Sequence, residues 1–289
     1  MAATLLDGNA LLEAVMDDLR VRVKNLTERG ITPGLGTILV GDDPNSAVYV
    51  KSKRQNSAEV GVVSRHTDLP ASVTQAELLD VVRDYNDDPA VDAYLVQLPL
   101  PPHIDEAAVL YAVDPDKDAD GLHPANLGKL VMGVRGVPRS CTPLGIQALL
   151  VHYNVPIEGQ HVVMVGRGLT IGRPLANLFS LKERHANATV TVCHTGTKFL
   201  PEHTKQADIL IAAAGRPSII TPDMVRPGAA VVGAGMTMEG RRILPDVDEA
   251  CAEVAGWITP RIGGVGPTTR AMLLQNTVEA AELRVGATA

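Results

Sequence analysis

Short, β-rich apolar runs alternate with helix-like segments in two stretches of the chain, and this rhythm restricts the possible folds more than any other feature. Residues 34–41 (GLGTILVG) read as a strand and 45–61 as a helix ended by Gly61. A second strand follows near VVSRHTDL, then a helix over VTQAELLDVVRDYN, then a third strand at 92–100 (DAYLVQLPL) stopped by Pro101 and Pro102. After a Gly/Pro-bearing stretch at 133–145, strands recur at 161–165 (HVVMV), 189–193 (TVTVC), 208–215 (DILIAAAG) and 229–235 (AAVVGAG), with helices between the earlier ones. Strands spaced by helices make βαβ units, whose crossovers return the chain to the same end of the sheet and so make the strands parallel. A chain of 289 residues has room for two such modules. The expected fold is α/β with two domains: an N-terminal α/β domain with a parallel sheet (1–140) and a Rossmann-type dinucleotide-binding domain (141–269). The boundary falls near 136–145. The final segment, TTRAMLLQNTVEAAELRV, is periodic and rich in helix formers, so 270–289 is expected to be a helix.

Composition removes several partner classes. The net charge is −7 and aromatic residues make up 3% of the chain. Binding a phosphate backbone needs a basic face, and reading single strands needs aromatic platforms, so no nucleic acid partner is expected. The N-terminal MAATLLDGNALLEAVMDDLRVRV has apolar positions at helical spacing with acids among them. That pattern suits an amphipathic helix better than a secretory or transit segment. No run reaches the length of a membrane span, so no membrane partner is expected. Cys141, Cys193 and Cys251 are an odd, scattered set without a CxxC pair. They suggest neither a disulfide framework nor a metal site and fit a reducing cytoplasm.

The strand at 161–165 runs into Gly166-Arg167-Gly168-Leu169-Thr170-Ile171-Gly172-Arg173-Pro174, with a helix after it. A glycine-rich turn between strand and helix lets backbone N–H groups and the positive helix end approach a pyrophosphate. The spacing is G-x-G-x-x-x-G, one residue longer than the usual fingerprint, so the strand–turn–helix context carries the reading. Gly233 and Gly235, at the end of a later strand, read as structural or as lining the site. An NAD site usually has an acid at the end of the second strand to hold the ribose 2′-hydroxyl. Here that strand is followed by His194-Thr195-Gly196-Thr197-Lys198, and Arg167 stands in the first turn to meet a 2′-phosphate. NADP is the favoured cofactor.

On the helix at 45–61, Tyr49 and Lys53 are four apart and share a face, whereas Lys51 projects about 200° away from Lys53. A partly desolvated lysine beside a phenol can exchange protons near neutrality; the ordinary alternative is a surface lysine whose stem packs while its charge reaches water. Gln97 sits near the carboxyl end of the third strand, where parallel sheets present ligands, or else is a satisfied core amide. From Asp116 a run of acids and Gly121 begins like a calcium loop, but its twelfth place is Leu127 instead of a bidentate Glu, so no metal is expected. One carboxylate there can instead accept the adjacent ring N–H and amino donors of a pterin.

The segments SAVYVKSK, VQLPLP, DKDADGLHPANLGKL, CTPLG, VGRGLTIGRP, TVTVCHT, DILIAAAGRP and GGVGPTTRAMLLQNTVEAA occur in that order along nearly the whole chain. The set resembles the bifunctional methylenetetrahydrofolate dehydrogenase/methenyltetrahydrofolate cyclohydrolase family. The resemblance implies two α/β domains with a cleft between them, a last helix that completes the first domain, and a homodimer joined through the cofactor domains. It implies Lys53 as the catalytic lysine, Tyr49 as its neighbour over the folate and Gln97 as its hydrogen-bonding partner. Leu98 and Pro99 would line the substrate, Asp120 would anchor the pterin, and the loop with Gly263, Gly264 and Pro267 would close the folate side. Gly166, Arg167, Gly168, Thr170, Ile171, Gly172, Pro174, His194 and Thr195 would hold NADP. The implied chemistry is hydride loss from 5,10-methylenetetrahydrofolate, then hydrolysis of the methenyl product to 10-formyltetrahydrofolate, a step of purine biosynthesis. A related two-domain dehydrogenase for another small substrate would share the cofactor half but has no reason for the Tyr49, Lys53, Gln97 and Asp120 set. The chain departs from common family residues at Gly168 (often Ser), Gly233 (Asp), Pro245 (Gly), Ile262 (Pro) and Thr268 (Met), mostly in the cofactor half.

Overall fold

The fold is taken from a computed structural model, which describes residues 2–240 and 242–286. Positions 287–289 of the expected C-terminal helix lie outside the described residues. In chain order the elements are β1 (Thr4–Leu5), α1 (Gly8–Glu28), β2 (Gly34–Val40), α2 (Pro44–Val60), β3 (Val63–Leu69), α3 (Gln75–Asp87), β4 (Ala93–Val96), α4 (Glu106–Ala112) and α5 (Pro124–Val131). There follow α6 (Cys141–His152), β5 (His161–Val165), α7 (Gly172–Ser180), β6 (Thr189–Cys193), α8 (Leu200–Thr204), β7 (Ile209–Ala212), β8 (Ala230–Gly233), β9 (Met236–Glu239), β10 (Arg242–Pro245), β11 (Trp257–Ile258) and α9 (Val265–Gly286).

The chain divides into two compact units. One comprises residues 13–129, 134–141 and 270 onward, and is built on a three-stranded sheet in the order β3-β2-β4. Both pairings are parallel, with Thr37 of β2 opposite His66 of β3 and Leu95 of β4. Every residue of β2 is buried, as a central parallel strand covered on both faces must be. Its core gathers Ile38, Val40, Val82, Tyr85, Tyr94, Val96 and Val109. Helix α2 starts where the Asp43 carboxylate accepts from the Ser46 N–H at 2.9 Å, and it ends at Gly61 in the left-handed region, φ 86°.

The other unit comprises residues 2–12, 130–133 and 142–269. Its six-stranded sheet runs β1-β11-β8-β7-β5-β6, with every pairing parallel. The chain leaves β5 for β6 on one side and then crosses to β7 on the other. The connections therefore reverse at β5, and such switch points are where open parallel sheets take ligands, at the carboxyl ends of the strands. An antiparallel hairpin of β9 and β10 follows β8.

Two expectations need correction. Residues 4–5 are not the start of an amphipathic helix: they pair with Trp257 and Ile258 as β1, and the helix begins only at Gly8. A two-residue strand is too short to leave a period-2 signature, so helical spacing further on masked it. The strand expected at 92–100 stops at Val96: the Gln97 N–H makes one more bond to β2, and beyond it Pro99, Pro101 and Pro102 have no N–H with which to continue a ladder. Among the described residues no helix is long and apolar enough to cross a membrane.

Candidate active site

Tyr49, Lys53 and Asn56 fall at i, i+4 and i+7 on α2 and form one stripe. Lys53 is 7% exposed and Tyr49 41%, whereas Lys51 is exposed. The Lys53 ammonium donates to Gln97 Oε1 at 3.0 Å. Gln97 is held on both sides: its backbone N–H donates to Ile38 O at 2.8 Å and its Nε2 to Leu98 O at 2.8 Å. With Nε2 occupied, the carboxamide oxygen is left to face the lysine. Gln97 is thus a partner of Lys53 rather than a satisfied core amide. The ammonium has no carboxylate partner among the described residues, so a buried charge is oriented without being neutralised. Leu98 is half-buried and Pro99 exposed, directly after Gln97.

The acidic run after α4 divides its labour. Asp118 is buried and accepts from the N–H groups of Leu122 (3.2 Å) and His123 (2.8 Å) and from Asn126 Nδ2 (3.0 Å). Burial pushes its carboxyl pKa up while these donors pull it down. Asp120 is half-buried and its carboxylate has no hydrogen-bond partner among the described residues, although its backbone oxygen accepts from the Cys141 N–H at 3.2 Å. Cys141 marks where the pieces meet. Burial pushes its thiol pKa well up, Asp120 adds to that, and the nearby Lys53 charge opposes it. Asp120 and Lys53 thus act electrostatically, in opposite senses, on one buried sulfur. Among the described residues no group of three or more His, Cys, Asp or Glu is arranged to hold a metal.

In the six-stranded unit, β5 ends at Val165 opposite Cys193 and Ala212. Gly166 has φ 124°, and a Cβ there would lie 2.1 Å from Ala213 O, so only glycine passes this point. Gly168, by contrast, faces open space. Arg167, Gly168 and Thr170 are exposed, Ile171 is half-buried, and Gly172 and Pro174 are buried in the first turn of α7. Ile171 caps that helix without a side-chain hydrogen bond; the Arg173 N–H donates to Gly168 O at 3.1 Å and Pro174 has no N–H, so in the first turn the Gly172 N–H is the donor left for a phosphate among the described residues. At the end of neighbouring β6, the His194 N–H donates to Thr197 Oγ1 at 2.8 Å and the Gly196 N–H to His194 Nδ1 at 3.1 Å, leaving Thr195 exposed. The β5–β6 pairing brings the two turns side by side.

Gly263 and Gly264 belong to the six-stranded unit, where Gly263 O accepts from the Gly8 N–H at 2.7 Å. Pro267 is not in a loop; it is buried in the first turn of α9, which starts at Val265.

Three supports escaped sequence reasoning. The carboxylate of Asp246, 0% exposed, accepts from the N–H groups of Ala214 (2.6 Å), Gly215 (2.9 Å) and Arg216 (2.8 Å), fixing the loop after β7. Gly235 gives it room, since a Cβ there would lie 2.0 Å from Asp246 Oδ2. Asn276 of α9 donates to Ala119 O at 2.9 Å and Arg139 O at 3.0 Å, bracing the segments on either side of Asp120 and Cys141. Arg270 donates to Asn56 Oδ1 at 2.9 Å. Asn276 alone left a sign, a polar residue inside an apolar helix pattern.

A parallel α/β unit with an open phosphate turn, and another carrying a buried lysine tied to an amide, describe a dinucleotide-dependent enzyme with proton-transfer capacity. Two family models match: the tetrahydrofolate dehydrogenase/cyclohydrolase catalytic domain over residues 6–120, and the NAD(P)-binding domain of the same family over residues 140–285. The chain belongs to the tetrahydrofolate dehydrogenase/cyclohydrolase family. It is 58% identical over 284 residues to the bifunctional protein FolD of Syntrophotalea carbinolica, covering 98% of each. The crystal structure of the bifunctional FolD dehydrogenase/cyclohydrolase from Campylobacter jejuni is 43% identical, with TM-score 0.93, over 98% of this chain and 100% of that one. The Trypanosoma brucei FolD, solved with NADP and an inhibitor, is 37% identical, with TM-score 0.92, over 99% of each chain.

Proposed function

We propose that the chain is an NADP-dependent 5,10-methylenetetrahydrofolate dehydrogenase that also hydrolyses the 5,10-methenyl product to 10-formyltetrahydrofolate. The observation that carries this reading, beside family membership, is the buried Lys53 ammonium held at 3.0 Å by a neutral amide oxygen. The folate chemistry is assigned to the three-stranded unit and NADP to the six-stranded one.

The residues present fit NADP. The close approach at Gly166 and the uncapped start of α7 suit a pyrophosphate, and the absence of an acid at 194–198 leaves Arg167 and Thr195 for a 2′-phosphate. Gly168, Thr170, Ile171, Gly172, Pro174 and His194 complete the proposed contacts. NADP, when bound, supplies the hydride acceptor of the first reaction, and that step needs positioning more than an acid or base.

The second reaction needs proton management. Water adds to the methenyl carbon, a C–O bond forms, and the bond from that carbon to one ring nitrogen breaks. Lys53, once its ammonium has released a proton, takes one from the adding water and returns it to the departing nitrogen, while the remaining hydroxyl proton leaves to solvent as the formyl C=O forms. Gln97 aims the lysine, and Tyr49 covers the folate from one turn away. Asp120, with an open carboxylate, accepts the paired N–H donors of the pterin. Leu98 and Pro99 line the substrate beside Gln97. The free cysteines Cys141, Cys193 and Cys251, all buried, suit a reducing cytoplasm, where we place the protein. We also propose a homodimer through the cofactor units, where the sheet edge at β6 is free to be covered and Val192 is 39% exposed.

The test is a coupled assay: oxidation of methylenetetrahydrofolate with NADP and with NAD, followed by methenyl hydrolysis on the same preparation. Turnover of both folates with preference for NADP is expected. Tight ligand binding without turnover would overturn the assignment.

A further inference from the structure

Half-buried arginines in the three-stranded unit are not all alike. Arg22 of α1 faces Glu282 with two hydrogen bonds, at 2.9 and 2.7 Å, with Asp18 at 3.5 Å, and this holds its pKa up. Arg270 of α9 is also half-buried, but its hydrogen bond goes to the neutral Asn56 side chain at 2.9 Å. It has no carboxylate ion pair among the described residues, and burial lowers its pKa. The Tyr49 phenol and the Glu59 carboxylate act on its charge from further off. Among the described residues most of its five-donor fork is left without a protein acceptor.

Asn56 is on the same stripe of α2 as Tyr49 and Lys53, about one turn (~5 Å) from Lys53. Along this stripe stand two desolvated cations, each tied to a neutral amide, Lys53 to Gln97 and Arg270 to Asn56. The amide oxygens orient these cations without neutralising them, which leaves each able to pair with an anion that the protein does not itself supply.

We propose that Arg270 is a substrate-binding residue that receives a carboxylate of the glutamyl tail of the folate substrate. The proposal rests on the functional reading above. The carboxylates of that tail are the substrate's permanent anions, and they lie beyond the aminobenzoyl ring, away from the reacting carbon. Through Asn56, Arg270 is held about one turn of α2 from Lys53, so a cation stands on the same stripe at a place set apart from the lysine. A planar guanidinium takes a carboxylate through two parallel hydrogen bonds, which an ammonium does not reproduce.

The test compares two substrates in the NADP-dependent oxidation: 5,10-methylenetetrahydrofolate with one glutamate, and the corresponding methylenetetrahydropteroate without it. Arg270→Gln retains a donor for Asn56 and removes the charge, and Arg270→Lys retains charge without the fork. Losing a charge-assisted pair is expected to raise KM for the glutamyl substrate in Arg270→Gln about 10–100-fold. The rise on the tail-less substrate should be smaller by about tenfold, and Arg270→Lys should recover part of the loss. Equal rises on both substrates, or none on the glutamyl one, would overturn the proposal. A wild-type enzyme that oxidises neither would instead remove the functional reading, and the proposal with it, before any variant is assayed.

Discussion

The two units hold their working parts by different means. In the three-stranded unit the proposed site is a set of side chains braced by other side chains: Gln97 on Lys53, Asn56 on Arg270, and Asn276 across the strands of chain around Asp120. In the six-stranded unit the site is backbone. Its turn takes the path it does because Gly166 lacks a Cβ, and its neighbouring loop is fixed by three amides converging on Asp246. The first arrangement suits chemistry that needs a proton at one place. The second suits a ligand recognised through its phosphates, where amide donors at fixed positions are what is wanted.

If this contrast is right, side-chain changes in one unit should spare the other ligand, and backbone changes should not be so selective about stability. Lys53→Met should have the largest effect, lowering methenyl hydrolysis by about 10²–10⁴-fold while NADP still binds, as followed by methenyl absorbance and cofactor titration. Near-normal hydrolysis would remove Lys53 from the mechanism. Gly166→Ala should cost about 2–4 kcal/mol of stability and weaken NADP binding at least ~10-fold, since both φ and the Ala213 carbonyl oppose a side chain. Its control is Gly168→Ala, two residues on in open space, which should be neutral or stabilising by about 0.4–1 kcal/mol in thermal melts. Equal loss in the two variants would deny that the backbone path is what matters.

Asp120→Ala should raise folate KM about 10–100-fold and leave NADP binding nearly as it was, the signature of a lost carboxylate contact. Parallel weakening of both ligands would point to misfolding instead. Among the damaging variants, the smallest effect is expected for Asp246→Asn. Its amide nitrogen would confront one of the three N–H donors, and KM for NADP should rise about tenfold with folate KM little changed. If both constants stay at their unmodified values, the loop after β7 does not serve the cofactor.

The parts of the molecule legible in the sequence are those governed by local rules. Glycines in the turn after HVVMV signal a backbone path, and Tyr49 with Lys53 share a face because a helix repeats every 3.6 residues. Lys53 with Gln97 already exceeds what spacing can tell, since 44 residues separate them. Arg270 meets Asn56 across 214 residues and Asn276 meets Ala119 across 157, separations at which periodicity says nothing. Asp246 reads in the chain as one acid among several in PDVDE. Its role exists only once β7 and β8 lie side by side. The two residues of β1 were hidden for the opposite reason, being too few to repeat any pattern.

The fit of Gly235 against Asp246 bears on how such a protein can diverge. A methyl group at 235 collides with the acid, and a smaller residue at 246 strands three amides. Neither position has an easy first move, so the pair should behave in inheritance as a single character, kept together or exchanged together through a rare double step.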